Sequence, residues 1–288
     1  MASMPLSVSA GLARSATLPD TDHWPLMVQG GRMNDLTLHA GMLAQARPLA
    51  SCLGCAARNL CLPSDVDIRD VIGLDGLVGY RRRLAPDEVL FRRDQSFAMV
   101  YAVRFGHLKS SRPDHRGQPH VTAFYMSGDL MGLDAIYAGR HASTMCALDD
   151  CEVCEIPYGR LQEAMHDSAP LMQRFHSALS HEIVREQAVL LYADMNGAER
   201  LASLLLDLSS RYVERGYSGR RFRLRMSRAD IGNYLGLTIE SISRLLGRFR
   251  NEGWIALDKR EIELLNFERL EALLTSAPTE AGSSQEKG

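Results

Sequence analysis

Three of the six cysteines of this 288-residue chain fall within ten residues, in the run SCLGCAARNLCLP. They are Cys52, Cys55 and Cys61. Two thiolates with two residues between them can reach one metal from a single tight loop, and a third, after five more residues, can close another side of the same centre. The spacing therefore predicts a metal or iron-sulfur centre.

The identity of that centre stays open at this level. A structural zinc site would use the same thiolates, redox chemistry would use the cysteines directly, and a free cysteine can also be a small buried hydrophobe. Three ligands leave a fourth position to fill. The remaining cysteines, all far along the chain, are Cys146, Cys151 and Cys154.

The beginning of the sequence shows no basic segment followed by an apolar one, and the chain has no apolar run near the length of a membrane span. We therefore expect a cytoplasmic protein with no membrane partner. Thiols stay reduced in the cytoplasm, where clustered cysteines bind metals or do redox chemistry more often than they form disulfides.

The charges are unevenly distributed. The whole chain has a net charge of -2, but residues 196–260 contain thirteen Arg and Lys against seven Asp and Glu, which leaves -8 for the rest. A cationic segment in a nearly neutral chain favours an anionic partner for the C-terminal part.

The composition, 45% hydrophobic and 24% charged, is that of a globular protein long enough for two domains.

Glycine spacing indicates the fold of the central part. Short β-rich pieces alternate with Gly106, Gly117 and Gly128, which follow one another at intervals of eleven residues. This rhythm is typical of short antiparallel strands joined by turns in a barrel or roll. Together with the cysteine loop it predicts a sensor domain over residues 48–166.

The two ends of the chain are predicted to be disordered. Residues 1–47 are rich in Ser, Gly, Ala and Met and show no sustained period, which is typical of an extension without a packed core. We expect the same of the tail, residues 276–288.

A long helix is predicted within residues 167–194. An apolar stripe recurs there at steps of three and four, formed by Met172, Phe175, Leu179, Ile183 and Leu190. Glu186 occupies the next position of the stripe between Ile183 and Leu190. If two such helices pair across a twofold axis, the facing glutamates repel each other and keep the dimer marginal; alternatively, Glu186 extends into solvent beside the stripe.

Residues 195–275 have the pattern of a winged helix-turn-helix. Asn196 is a predicted N-cap of one helix, Ser227 caps a second with Asp230 at its third position, Gly236 permits the tight turn, and Thr238 caps the next helix. Two short strands, WIAL and EIELL, follow and form a predicted wing. The overall expectation is an α+β protein: an antiparallel β-roll, a long dimerisation helix and a winged helix-turn-helix.

The polar face of the second helix of this motif predicts contact with double-stranded DNA. Glu240, Ser243 and Arg244 lie in its first two turns, the part of a recognition helix that reaches base edges. Glutamate can accept from the cytosine amino group and arginine can bind guanine bidentately. Contacts to the DNA backbone are expected from Ser227, Thr238 and Arg248, and from the arginines of RFRLR.

The stretch DIGNYLGLTIESISRLLGRF resembles the helix-turn-helix of the cyclic-AMP receptor protein superfamily, and specifically its oxygen-responsive branch, the fumarate and nitrate reduction regulators (FNR). The resemblance extends from about Cys52 to Leu270 and includes GDLMGLDAI, VCEIP and NGAERLASLLLDLS. In those regulators, three N-terminal cysteines and the cysteine of VCEIP hold an oxygen-labile 4Fe-4S cluster. The resemblance implies that the ligands here are Cys52, Cys55, Cys61 and Cys154.

The same resemblance implies a homodimer that is stable only with the cluster intact. Glu186 then lies at the family position where charge repulsion keeps the cluster-free protein monomeric, next to Ile183. Operators of the TTGAT and ATCAA type and transcriptional activation of anaerobic genes through RNA polymerase are also implied.

The chain departs from the superfamily's cyclic-nucleotide pocket, because GRHAST places His141 and Ala142 where an arginine and a small hydroxyl residue are needed. We expect no cyclic AMP binding.

Two other hypotheses are retained. A regulator of the same fold could hold structural zinc, or could sense haem or nitric oxide. A cysteine-based redox enzyme belongs to a different class, but the chain has no nucleotide-binding glycine loop, no nucleophile elbow and no metalloprotease motif. We therefore expect that the protein is not an enzyme.

Overall fold

A computed structural model describes residue 52, residues 54–62 and residues 76–275 of the chain. The predicted extension, residues 1–47, and the predicted tail, residues 276–288, lie outside the described residues. All of the described residues belong to the same structural unit. No helix among them is apolar over enough of its length to cross a lipid bilayer.

The central part is an antiparallel β-roll, as the glycine spacing predicts. One sheet has the strand order β1-β8-β3-β6 and the other β2-β7-β4-β5. The strands are β1 (Tyr80–Leu84), β2 (Val89–Phe91), β3 (Met99–Phe105), β4 (His107–Pro113), β5 (Pro119–Met126), β6 (Leu130–Met131), β7 (Thr144–Ala147) and β8 (Cys151–Pro157). Gly106, Gly117 and Gly128 turn the chain with φ angles of 92°, 77° and 93°, a region that a β-carbon disfavours.

Strand β8 separates two hydrophobic clusters because successive side chains of a strand point to opposite faces. Cys151 and Val153 lie in the cluster between the two sheets, together with Phe91. Ile156 belongs to a second cluster, and Cys154 packs against it. That second cluster also contains Leu62, Leu161, Leu171 and Phe175. The cysteine loop therefore packs on the outer face of β8.

Two helices follow the roll, α1 (Tyr158–Asp167) and α2 (Ala169–Leu190), and a 3-10 turn (Leu191–Asp194) ends the second. The predicted apolar stripe of α2 divides into two parts. Phe175 is 3% exposed in the protomer's own core, whereas Ile183 is 56% and Leu190 73% exposed. Met172, at the start of the stripe, is 42% exposed, so the buried part of the stripe is centred on Phe175 and the most exposed part is its second half.

The C-terminal part contains α3 (Gly197–Glu214), β9 (Arg221–Arg223), α4 (Arg228–Leu235), α5 (Ile239–Asn251), β10 (Ile255–Asp258), β11 (Glu261–Leu264) and α6 (Phe267–Thr275). The wing sheet has the order β10-β11-β9. Sequence reasoning predicted β10 and β11 but missed β9. In the sequence, RFR looks like a charged segment, and only the structure shows that Phe222 is buried and pairs with Ile262.

The predicted helix caps are confirmed. The Asn196 side chain accepts from the backbone of Ala198 and Glu199 in a capping box. Ser227 Oγ accepts from Asp230 N at 3.0 Å. Thr238 Oγ1 accepts from Ser241 N at 3.2 Å. Such caps satisfy amide groups that a helix cannot pair within itself, so these short polar residues fix where α3, α4 and α5 begin.

The helix-turn-helix is docked on the roll. Lys109 of β4 forms an ion pair of 2.5 Å with Asp230 of α4. Asn233 of the same helix accepts from Val121 N at 2.5 Å and donates to Pro119 O at 3.0 Å. Roll residues and helix-turn-helix residues also share one hydrophobic cluster. The direction of the recognition helix is therefore tied to strands β4 and β5.

Candidate metal centre and nucleic-acid interface

Four cysteines line one cavity between the cysteine loop and the outer face of the roll. They are Cys52, Cys55, Cys61 and Cys154, each partly buried. The loop consists of consecutive turns, in which Cys55 N donates to Cys52 O at 3.2 Å and Cys61 N donates to Ala57 O at 3.0 Å. These turns bring three thiols of one segment towards the fourth on β8.

The thiols of this site are held in a mainly apolar environment. Burial, together with the nearby Cys154, Cys52 and Cys55, raises the pKa of the Cys61 thiol to about 12. Burial also raises the pKa of Cys154, against the opposing charge of Arg81. Thiolates would therefore form here only with a positive partner, and a bound metal is the usual one.

Arginines supply part of that positive charge. Arg58, Arg81 and Arg104 line the same cavity. Arg104 donates from Nη1 to Glu152 at 2.8 Å, while its buried Nε has no hydrogen-bond partner within the part of the chain that the structure describes. A tetrathiolate iron-sulfur cluster is anionic, so a donor set of four thiols flanked by arginines fits it chemically.

Across residues 52, 54–62 and 76–275, no three His, Cys, Asp or Glu side chains are grouped so as to hold a single metal ion.

The other two cysteines lie elsewhere. Cys146 is on β7 opposite Lys109, in the sheet that does not contain β8. Cys151 is buried between the sheets, where its thiol donates to His107 O at 3.1 Å. Burial raises the pKa of Cys151 to about 12. Neither lines the cavity of the other four.

A buried carboxylate that sequence reasoning missed joins the roll to the helices. Asp129 accepts from Arg211 of α3 and from Arg215, the residue after its end, each at 2.6 Å, and lies 3.7 Å from Arg185 of α2. Burial opposes ionisation of Asp129, but these three guanidinium groups hold the pKa of its carboxyl below the usual value. In the sequence, the signals for this group of ion pairs were the GDLMG turn and two arginines four residues apart, Arg211 and Arg215.

The predicted dimer residues lie on the surface of the protomer. Ile183 and Glu186 are both exposed on α2. Three more large apolar side chains are exposed beside them: Val184, Leu190 and Leu191. This surface, which we call the α2 apolar face, consists of Ile183, Val184, Leu190 and Leu191. Glu186 lies between Val184 and Leu190 along the helix, at the edge of this face.

The recognition helix presents the predicted side chains to solvent. Glu240 and Arg244 are exposed, and hydrogen bonds from its own backbone and from Thr238 hold the pKa of Glu240 below the usual value. The carboxylate is therefore an acceptor, as a contact with cytosine requires. Ser243 Oγ is 3.1 Å from Arg228 Nη1. The inward face is formed by Ile242, Leu246 and Phe249, with Leu245 only partly buried.

Several arginines expected at phosphates also have protein partners. Arg248 forms an ion pair of 2.8 Å with Glu252. Arg223 of β9 lies 3.9 Å from Glu261, and Arg225 lies 3.3 Å from Asp149 of the roll. Arg225 thus helps to dock the domain, a role that the sequence pattern did not indicate.

The GRHAST segment, where the sequence departs from the superfamily's nucleotide-binding pattern, packs against the roll. His141 is buried and stacks on Phe91 with a ring separation of 3.8 Å. Asp134 accepts from Ala142 N at 3.0 Å and from Ser143 Oγ at 2.8 Å. Arg140 is exposed and donates to Asp94 O at 2.7 Å. Asp134 and Arg140 are thus engaged within the roll, whereas the buried Nδ1 of His141 has no hydrogen-bond partner among the described residues and lies 3.6 Å from Asp134 Oδ1.

Comparisons with known proteins agree with this architecture. Residues 199–273 match the Crp-like helix-turn-helix domain, and residues 81–168 match the cyclic nucleotide-binding domain. The chain is 39% identical over 226 residues to the transcriptional regulatory protein btr of Bordetella pertussis, covering 78% of this chain and 93% of the relative. It is 38% identical over 223 residues to the fumarate and nitrate reduction regulatory protein of Escherichia coli, covering 77% and 89%.

A solved structure shows the same fold. The structure of FixK2 from Bradyrhizobium japonicum superimposes with a TM-score of 0.62 at 27% identity, over 69% of this chain and 98% of that one. The chain therefore belongs to the FNR branch of the cyclic-AMP receptor protein superfamily, and it is a DNA-binding transcriptional regulator.

Proposed function

We propose that this regulator senses oxygen through a 4Fe-4S cluster held by Cys52, Cys55, Cys61 and Cys154. With the cluster intact it forms a homodimer that binds operators of the TTGAT and ATCAA type and activates genes of anaerobic metabolism through RNA polymerase. One observation carries the proposal: four cysteines from two distant segments line one arginine-flanked cavity. A relative from Aggregatibacter actinomycetemcomitans, 39% identical, is named an anaerobic regulatory protein.

In this proposal, the cysteine loop is the segment that changes position when the cluster is lost. When bound, a 4Fe-4S cluster supplies an oxygen-sensitive bond between the loop and β8. Cys52, Cys55 and Cys61 then hold the loop against Cys154. In this position Leu62 packs against Leu171 and Phe175 of α2, so the helix has a different environment when the loop leaves.

The α2 apolar face is the proposed dimer surface. Exposed Ile183, Val184, Leu190 and Leu191 offer area that a second copy of the helix can bury. Across a twofold axis Glu186 would meet its counterpart, and that repulsion lowers the stability of the dimer. A modest stabilisation of the dimer by the docked loop can then shift the equilibrium from monomer to dimer.

Glu186→Ala is expected to increase dimerisation in air. Removing one repulsive pair of exposed charges should raise the association constant about two- to fivefold, the size typical of surface charge pairs. Sedimentation in air measures it. Glu163→Ala, which removes the same charge from the exposed surface of α1, is the control and should change nothing. A Glu186 variant as monomeric as wild type would contradict the repulsion argument.

Arg244→Ala is expected to relax operator specificity. A bidentate contact between arginine and guanine contributes about 1–3 kcal/mol of discrimination at one base pair. Binding of the anaerobic protein to TTGAT-ATCAA DNA and to DNA altered at the G·C pair, measured by fluorescence anisotropy, should differ about tenfold or more for wild type and little for the variant.

Arg250→Ala is the matched control on the same helix. Arg250 is exposed near the C-terminal end of α5, where phosphate contacts position the protein without specifying a sequence. This variant should weaken binding to both DNAs equally. If Arg244→Ala also weakened both equally, Arg244 would be a phosphate contact and the operator proposal would lose its recognition residue.

A further inference from the structure

Arg174 connects the dimerisation helix to the backbone of the cysteine loop. From α2 it donates through Nη2 to Leu60 O at 3.0 Å and through Nε to Cys61 O at 3.4 Å. Leu60 and Cys61 are consecutive loop residues, and Cys61 is one of the four cysteines of the cavity. Hydrogen bonds from a charged donor are short-ranged and directional, so they form only with the loop in this position.

The loop is also fitted closely to the roll at this point. Gly128 lies against Leu60, and a β-carbon at Gly128 would come within 2.5 Å of the Leu60 Cβ. The next residue, Asp129, binds Arg185 of α2 at 3.7 Å. The cysteine loop and the Asp129 turn therefore contact α2 from neighbouring places.

Arg174 and Arg185 lie on the same face of the helix. They are eleven residues apart, which is about three turns, and both bind groups of the protomer's own roll and loop. Ile183 is nine residues after Arg174, about two and a half turns, and so it points to the opposite side. The two arginines fix the inner face of α2 and thereby set the direction of the α2 apolar face.

We propose that Arg174 is a positioning residue that transmits the state of the cysteine loop to the dimer surface. The inference rests on the proposed function, because it assumes that the loop is held only while the cluster is bound. With the loop docked, both arginine anchors hold α2. With the loop released, the Arg185 anchor remains and the Arg174 anchor is lost, so the first half of α2 is held only by the apolar contacts of Leu171 and Phe175 with α1 and the roll.

The test compares dimer dissociation constants with and without the cluster. Wild type, Arg174→Ala and Arg174→Lys are purified without oxygen, their iron and acid-labile sulfide are measured, and sedimentation is recorded before and after exposure to air. Arg160→Ala, an exposed arginine of α1, is the control. The readout is the ratio of the dissociation constant in air to that without oxygen.

Arg174→Ala is expected to keep the cluster, since all four cysteines remain, while its ratio falls about tenfold below that of wild type, the effect of losing charge-assisted hydrogen bonds. Arg174→Lys can still reach one carbonyl and should give an intermediate ratio. Arg160→Ala should behave as wild type. This pattern would support Arg174 as the link.

Two results would overturn the inference and leave the proposed function standing. One is an unchanged ratio in Arg174→Ala with full cluster content. The other is loss of the cluster in both Arg174→Ala and Arg174→Lys, which would limit Arg174 to holding the loop. A wild-type protein without a cluster, or with a ratio of one, would instead contradict the proposed function itself.

Discussion

Cys154→Ser is expected to abolish the cluster, whereas Cys146→Ser and Cys151→Ser are expected to retain it. Cys154 lines the cavity with the loop cysteines, while Cys151 lies in the cluster between the sheets and Cys146 lies on β7. Serine oxygen is a poor replacement for a thiolate at iron. The three variants change the same atom in neighbouring positions of one domain, so each is a control for the others.

The measurement is iron and sulfide per chain after anaerobic purification, together with visible absorption. Wild type, Cys146→Ser and Cys151→Ser should contain about four iron atoms per chain. Cys154→Ser should contain almost none, and its operator binding should no longer depend on oxygen. Equal loss in all three variants would show that the fourth ligand has been wrongly assigned.

Asp129→Asn is expected to reduce the free energy of unfolding by about 3–5 kcal/mol, the usual cost of removing one partner from a buried ion pair. Arg211 and Arg215 have side chains that are 7% and 6% exposed. In the variant their charges would stay buried with much less compensation. The roll would also lose its ionic contact with α3, so the winged domain should dock less tightly.

Urea denaturation of the anaerobic protein measures this loss, and Asp150→Asn, an exposed carboxylate, is the control. The pKa of Asp129 is lowered in the folded state, so its contribution is present above the unfolded value, about 3.9, and is lost as the pH falls through the folded value. The difference between wild type and variant should therefore shrink in strong acid. A loss below about 0.5 kcal/mol at neutral pH, the range of ordinary surface substitutions, would contradict this account.

Local chemistry explains which parts of the fold could be predicted. The caps at Asn196, Ser227 and Thr238 depend on residues within one helical turn, so the sequence alone reveals them. Gly106, Gly117 and Gly128 need their left-handed backbone angles and mark the turns for the same reason. The separation of Cys151 from Cys154 was also accessible, because residues three apart on a strand face opposite ways.

Long-range contacts explain what could not be predicted. The structural role of Asp129 depends on its ion pairs with Arg185, Arg211 and Arg215, which lie more than fifty residues away along the chain. In the sequence, Arg174 is an ordinary charged residue of an amphipathic helix. Only the structure shows that the loop carbonyls lie beside it. The apolar stripe of α2 looks continuous in the sequence, yet Phe175 within it is buried in the protomer's own core together with residues of the cysteine loop and α1.

The most direct test of the account follows visible absorption and operator binding in one sample while oxygen is added to the anaerobically purified wild-type protein. We expect a coloured dimer whose absorption bleaches and whose affinity for TTGAT-ATCAA DNA falls over the same range of added oxygen, with monomer at the end. A colourless, zinc-containing dimer that binds the operator equally well in air would contradict it, as would bleaching that leaves DNA binding unchanged.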